Sequence, residues 1–216
     1  MATQPEHDDD PAASTNLPML YAPPQDGAAY PSLDNFAATS GIVVDLYMRV
    51  KPDGFRLGDD MKGLLETVLV TIDMLDLTPI YQSRHEVGGN TIFLKSYDGV
   101  TTPQGHNFEQ AVATKDAIPG SKNSGIYRTV EIPCTLAEDV CDPRSALSIE
   151  AGTSIGVTPS VTGFAEFLRF YKKLQRTDPA LLQDILKVRL THKKRTNRNN
   201  NEWGVLEFEY LGIGEG

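Results

Sequence analysis

The chain has 216 residues, 40% hydrophobic and 23% charged, with a net charge of −9, a composition that suits one globular core plus a tail or small subdomain. No apolar run reaches the roughly 18 residues that span a bilayer, and the acidic N-terminus lacks a basic-then-apolar export segment. Two cysteines and four scattered histidines form neither a CxxC pair nor a zinc-ligand spacing, so the expectation is a reduced, cytoplasmic protein with no metal, no cofactor and no membrane partner.

Residues 1–38 hold six acids and no Lys or Arg, with much Pro, Ala and Gln. Such a segment buries too little apolar area to offset its ordering entropy, which predicts a disordered acidic tail before a single domain over 39–216. That domain should open on a half-buried strand, in which Ile42, Val44, Leu46, Met48 and Val50 alternate with Val43, Asp45, Tyr47, Arg49 and Lys51. Gly54 and Gly58 mark a turn. The β-branched run Thr67 to Ile72 favours a strand from about Val68, with room for a helical turn before it. Gly88-Gly89 opens a strand over Thr91 to Tyr97, which Asp98-Gly99, a hairpin-type dipeptide, closes. The stretch from there to Gly125 has little periodicity and is expected to be a long loop. Strands follow at Ile126 to Ile132 and Ala146 to Glu150.

One helix is clear. Phe164, Phe167, Leu168, Tyr171 and Leu174 fall at helical spacing, capped by Thr162 or Gly163, with Arg169, Lys172, Lys173 and Arg176 on the opposite side. Asp178-Pro179 starts a short second helix through Leu186. Val188 and Leu190 then alternate with Lys187 and Arg189 in a strand, whose antiparallel partner is Glu202 to Tyr210. The basic, Asn-rich stretch Lys193 to Asn201 is the expected hairpin loop. The predicted fold is α+β, strand-rich, with one clear amphipathic helix.

Ten of the twenty Lys and Arg lie between Arg169 and Arg198, against only Asp178 and Asp184, so this window carries +8 and the remainder −17. Lys187 to Arg198 alone holds six cations and no acid. Cations at that density repel unless an anion relieves them, and nucleic acid is the obvious candidate, with a solvated basic loop as the alternative. Aromatic residues interleave with cations on strand faces: Phe93, Lys95 and Tyr97 on one, Tyr47, Arg49 and Lys51 on another, with Trp203 just after the basic loop. Flat rings that stack bases beside cations that track phosphates are what single-strand binders need, although such rings are also ordinary core residues.

Catalytic patterns are weaker. Gly152-Thr153-Ser154-Ile155-Gly156 lacks the Lys of a phosphate loop and suits a strand-to-helix turn. Asp8-Asp9-Asp10 is expected as a solvated run in the tail, and Asp59-Asp60 and Glu138-Asp139 adjoin turn signals and lack the spaced acidic or Lys partners of a two-metal nuclease. His85, His106 and His192 suit surface or capping positions, Cys134 has no nucleophile context, and no enzyme is expected.

The runs Val68-Leu69-Val70-Thr71-Ile72-Asp73, Ser96-Tyr97-Asp98-Gly99, Thr162-Gly163-Phe164-Ala165-Glu166-Phe167-Leu168 and Trp203-Gly204-Val205-Leu206-Glu207-Phe208 resemble those of phage-encoded single-stranded DNA-binding proteins. The resemblance spans roughly 65–210 and implies an OB-type barrel. It also implies a role in phage replication, recombination or transcription, with single-stranded DNA, replication proteins or a phage RNA polymerase as partners. On this reading Lys193, Lys194, Arg195 and Arg198 grip phosphates and Trp203, Tyr97, Tyr47 and Phe93 stack bases. Arg49, Lys95, Lys172, Lys187 and Arg189 extend the track. A structural or assembly protein docking an acidic partner through the basic hairpin is the rival, and self-association stays open.

Overall fold

The computed structural model describes residues 42–58, 62–142 and 144–214. The tail expected over 1–38 and the pair Asp59-Asp60 lie outside them. The described chain runs β1 (Leu46–Lys51), β2 (Gly54–Leu57), β3 (Lys62–Leu65), β4 (Thr67–Asp73), β5 (Thr78–Val87), β6 (Asn90–Ser96) and α1 (Phe108–Asp116). It continues through β7 (Lys122–Leu136), β8 (Val140–Asp142), β9 (Leu147–Ile149), β10 (Ser154–Val157), α2 (Val161–Thr177), a 3-10 turn (Pro179–Gln183), β11 (Ile185–Thr196) and β12 (Glu202–Ile213). This is an α+β chain dominated by strands. None of its described helices is long and apolar enough to cross a membrane.

One large sheet has the order β12-β11-β4-β7-β10-β1-β2-β3, and β5–β6 branches from β7. The branching follows from the length of β7. Its first half, Lys122 to Glu131, pairs with β5, and its second half pairs with β10 and β4. Alternation sends Val130, Ile132, Cys134 and Leu136 of β7 inward with Val70 and Ile72 of β4, Ile155 of β10 and Leu190 of β11. Phe167, Phe170 and Leu174 of α2 join this core, each contributing about 1.5–3 kcal/mol by burial. The edge strand β12 passes close to β1, which lies third from the other edge of the sheet. A Cβ at Gly204 would lie 2.1 Å from the Lys51 carbonyl oxygen, so only glycine fits there. No backbone ladder joins β1 to β12 among the described residues.

Several elements differ from expectation. The first strand keeps its predicted faces but starts at Leu46. A strand, β3, occupies the place of the helical turn before Val68. β5 was not anticipated, because its buried residues Gln82, Ser83 and His85 are polar. Gly88 and Gly89, with φ +56° and +82°, form the tight turn joining β5 to β6. Asp98-Gly99 makes no hairpin: the Asp98 carboxylate accepts from the Val100 and Thr101 amides and from the Ser96 and Thr101 hydroxyls, steering the chain towards α1. The expected long loop contains α1, which buries only Phe108 and Val112 and so carries a faint apolar signal. Its N-cap is Asn107, whose side chain accepts from the Gln110 amide. Ser154 to Gly156 belong to β10, not to a strand-to-helix turn. Ser160 caps α2 in place of Thr162 or Gly163. The helix after Asp178-Pro179 is a 3-10 turn that stops at Gln183. The loop of the last hairpin shrinks to Asn197–Asn201, held by the Asn197 side chain accepting from the Asn199 and Asn201 amides.

Candidate nucleic-acid interface

The short hairpin loop changes the setting of the basic window. Lys193, Lys194 and Arg195 lie on β11, and only Arg198 sits in the loop. Four of the five cations on β11, all but Lys187, meet an acid that follows the window in sequence. Arg189 pairs with Glu209 at 2.7 Å, Lys193 with Glu207 at 2.6 Å and Lys194 with Glu202 at 2.6 Å. Arg195 is shared between Glu166 of α2 at 3.5 Å and Glu207 at 4.0 Å. The cross-strand register, Arg189 opposite Glu209 and Thr191 opposite Glu207, brings these acids to the cations. Lys187 and Arg198 have no acidic partner among the described residues. Trp203 sits opposite Arg195, half-buried, and its Nε1 is buried without a partner among the described residues.

A second cluster lies on the outer face of the sheet. Phe93, opposite Arg84, is 48% exposed, and Lys95 stands opposite Gln82, itself opposite Tyr127. Lys95 and Tyr97 do not face solvent as free contacts: both bind the carboxylate of Glu131, which is fully buried. Tyr97 donates its hydroxyl at 3.0 Å, and desolvation, together with the Glu131 charge, pushes that phenol's pKa upward. The Lys95 ammonium also lies over the Tyr47 ring, 5.9 Å from its centroid. Tyr47 is exposed and lies across Gly156 of β10, where an added Cβ would approach its ring to 2.9 Å. Arg49 continues outward along β1, exposed and without an acidic partner among the described residues.

β1 joins the two clusters. Its last residue, Lys51, has its carbonyl 2.8 Å from Nε2 of His192 on β11, while Tyr47 contacts Lys95 of β6. His192 also packs edge-on against Phe55, with ring centroids 5.7 Å apart. The structure therefore connects the hairpin, Tyr47-Arg49-Lys51 and Phe93-Lys95-Tyr97, three groups far apart in sequence. Lys172 stands apart from that line. It lies on the exposed side of α2 with Arg169, Lys173 and Arg176, and α2 packs Phe167 and Phe170 against Phe208 of β12.

Glu131, Tyr127 and the acids of β12 were not anticipated. Glu131 reads as a polar residue in an apolar strand. Glu207 and Glu209 alternate along β12, so the hairpin pairing was the available signal for them. His85 was expected as a surface or capping residue and is instead fully buried. Its Nε2 lies 2.9 Å from Ser83 Oγ, and its Nδ1 lies 3.2 Å from Asp116 Oδ1, off the hydrogen-bond axis. A nucleophilic serine must meet its substrate, whereas Ser83 is 0% exposed and its hydroxyl also bonds Asn123 at 2.9 Å. We read this group as a polar brace fixing α1 to β5. Burial pushes the Cys134 thiol to about 12, away from the reactive thiolate. No group of three or more potential metal ligands occurs among the described residues.

No protein-family model, curated protein or solved structure matches this chain.

Proposed function

We propose that this protein binds single-stranded DNA without catalysis, in the setting of phage replication, recombination or transcription. The observation that carries the reading is the connected surface running from the cationic hairpin, through β1, to the aromatic outer face of β6. The Lys51 backbone carbonyl lies 2.8 Å from His192 Nε2, and Tyr47 lies under Lys95 at 5.9 Å. α2 and the β11–β12 hairpin together hold ten cations against four acids, +6 in a chain of −9. Such local charge in an acidic protein attracts a polyanion while the remaining surface repels it. The exposed rings of Phe93 and Tyr47 supply flat faces for unpaired bases, each stack worth about 1–3 kcal/mol. Within this reading, the approach of β12 to β1 suits an open, OB-like sheet.

Titration of a fluorescent oligothymidylate across a salt series tests the proposal. Affinity should fall with salt at a log–log slope of up to about −4 for the six hairpin cations. Duplex of equal length should bind more weakly, since its bases cannot reach the rings. A salt-independent affinity, or tighter binding to duplex, overturns the reading and favours an assembly protein with an acidic protein partner.

A further inference from the structure

The two cationic elements differ in what already neutralises them. On the hairpin, Arg189, Lys193, Lys194 and Arg195 each have a glutamate within 4.0 Å. On α2, Arg169 pairs with Glu166, but Lys172, Lys173 and Arg176 have no acidic group within ion-pair distance among the described residues. All four α2 cations are exposed, and their spacing over eight residues sets a ridge roughly 10 Å long on one helix face. A groove of about 420 Å³ runs beside that ridge, between α2 and β12. Phe170, Leu174, Phe208 and Tyr210 form its apolar wall, and Glu166, Glu207 and Glu209 also line it, so it suits uncharged bases and not phosphates.

A phosphate that reaches Lys172 displaces only mobile counterions. One that reaches Lys193 must also part it from Glu207, leaving a bare carboxylate beside the incoming anion. The same contact is therefore worth less on the hairpin than on the ridge. From this asymmetry we infer that the phosphodiester backbone of a single strand tracks along the α2 ridge, through Lys172, Lys173 and Arg176, with bases turned into the adjoining groove. Arg189, Lys193, Lys194 and Arg195 of the hairpin enter only by exchanging glutamate for phosphate, whereas Lys187 and Arg198, without an acidic partner among the described residues, add single contacts at either end of it. The inference rests on the single-strand reading above and moves the principal phosphate contacts from the hairpin to the helix.

The test uses the full chain, oligothymidylate binding and thermal melting. One variant, Lys172→Ala with Lys173→Ala and Arg176→Ala, strips the ridge. A second, Lys193→Gln, Lys194→Gln, Glu202→Gln and Glu207→Gln, removes two hairpin pairs without changing net charge. The ridge variant should lose about tenfold or more in affinity and about 2 from the magnitude of the salt slope, at roughly 0.7 per phosphate contact. The charge-neutral hairpin variant should bind within about twofold of the parent, with its slope unchanged. Changing Glu202, Glu207 and Glu209 to Gln should free the hairpin, tightening binding and steepening the slope. Should the ridge variant melt early, Lys172→Ala and Lys173→Ala made singly should each remove about 0.7 from the slope. A ridge variant that binds like the parent while the neutral hairpin variant weakens overturns the inference and leaves single-strand binding standing. A parent that binds no single strand, or prefers duplex, overturns both.

Discussion

Two lysine–glutamate pairs, one on the hairpin and one on the outer sheet, show how burial changes the meaning of the same chemistry. Lys193 and Glu207 have side chains 52% and 33% exposed, so water and salt compete for both charges. Lys95 is 28% exposed, but its partner Glu131 is 0% exposed, and Tyr97 adds a second donor to that carboxylate. A surface pair contributes about 0–1 kcal/mol, whereas leaving a buried charge alone costs several. A lysine on the hairpin is thus available to an external anion, and Lys95 is held in place by the fold. The interleaved pattern Phe93, Lys95, Tyr97 has one free ring and two residues that serve the interior.

Breaking each pair separates these roles. Lys95→Ala should destabilise the protein by about 3 kcal/mol, the lower part of the range for a stranded buried charge, since Lys95 is itself partly exposed. Lys193→Ala should change stability by less than about 1 kcal/mol. Urea unfolding of the two variants gives the comparison directly, and equal effects would show that Glu131 draws its stabilisation from elsewhere.

Gly204→Ala addresses the seam that brings β12 to β1. The added methyl would overlap the Lys51 carbonyl, forcing a backbone shift that should cost roughly 1–3 kcal/mol. It should also disturb the His192 contact, which histidine proton shifts can follow. An unchanged melting temperature and spectrum would mean that this seam tolerates separation.

Trp203→Phe should be close to neutral. The substitution deletes the buried Nε1–H, which has no partner among the described residues and whose desolvation costs about 1–3 kcal/mol, while keeping an aromatic face beside Arg195. A loss above about 2 kcal/mol would reveal an acceptor for that N–H, such as a buried water.

Acid sensitivity provides a smaller measure of loop order. Asp98 is held below the usual carboxylate range chiefly by backbone hydrogen bonds from Thr101 and Val100, then by the hydroxyls of Thr101 and Ser96. A lowered folded-state pKa contributes stability above the unfolded value near 4, lost as pH falls through the folded one. Stability measured from pH 5 downward should therefore fall less steeply in Asp98→Asn than in the parent. Parallel profiles would assign the acid response to other carboxylates, Asp45 and Asp142 among them, which hydroxyl hydrogen bonds from Ser154 and Ser145 also hold low.

The elements most legible in sequence were those whose burial is apolar and periodic. α2 shows its face through Phe167, Phe170 and Leu174, β1 and β11 show theirs through alternation, and β4 shows itself through its β-branched run. β5 and α1 left little trace because their buried surfaces are respectively polar and small. The cations of the candidate interface were legible as a run, but their neutralisation was not. Glu207 is sixteen residues beyond Thr191, its cross-strand partner, and Glu131 lies thirty-six beyond Lys95.

Local composition by itself determined the strand-rich class, the amphipathic helix, the last hairpin and the uneven distribution of charge, because each depends on neighbours a few residues apart. Tertiary structure alone decided which charges are spoken for. Strand register set glutamates of β12 against the hairpin, β7 carried Glu131 beneath Lys95, and the packing of α2 left Lys172, Lys173 and Arg176 facing solvent without an acid among the described residues. The physical reason is range. A backbone preference acts over a turn or a pleat, whereas an ion pair forms between groups within about 4 Å in space, wherever the chain has placed them.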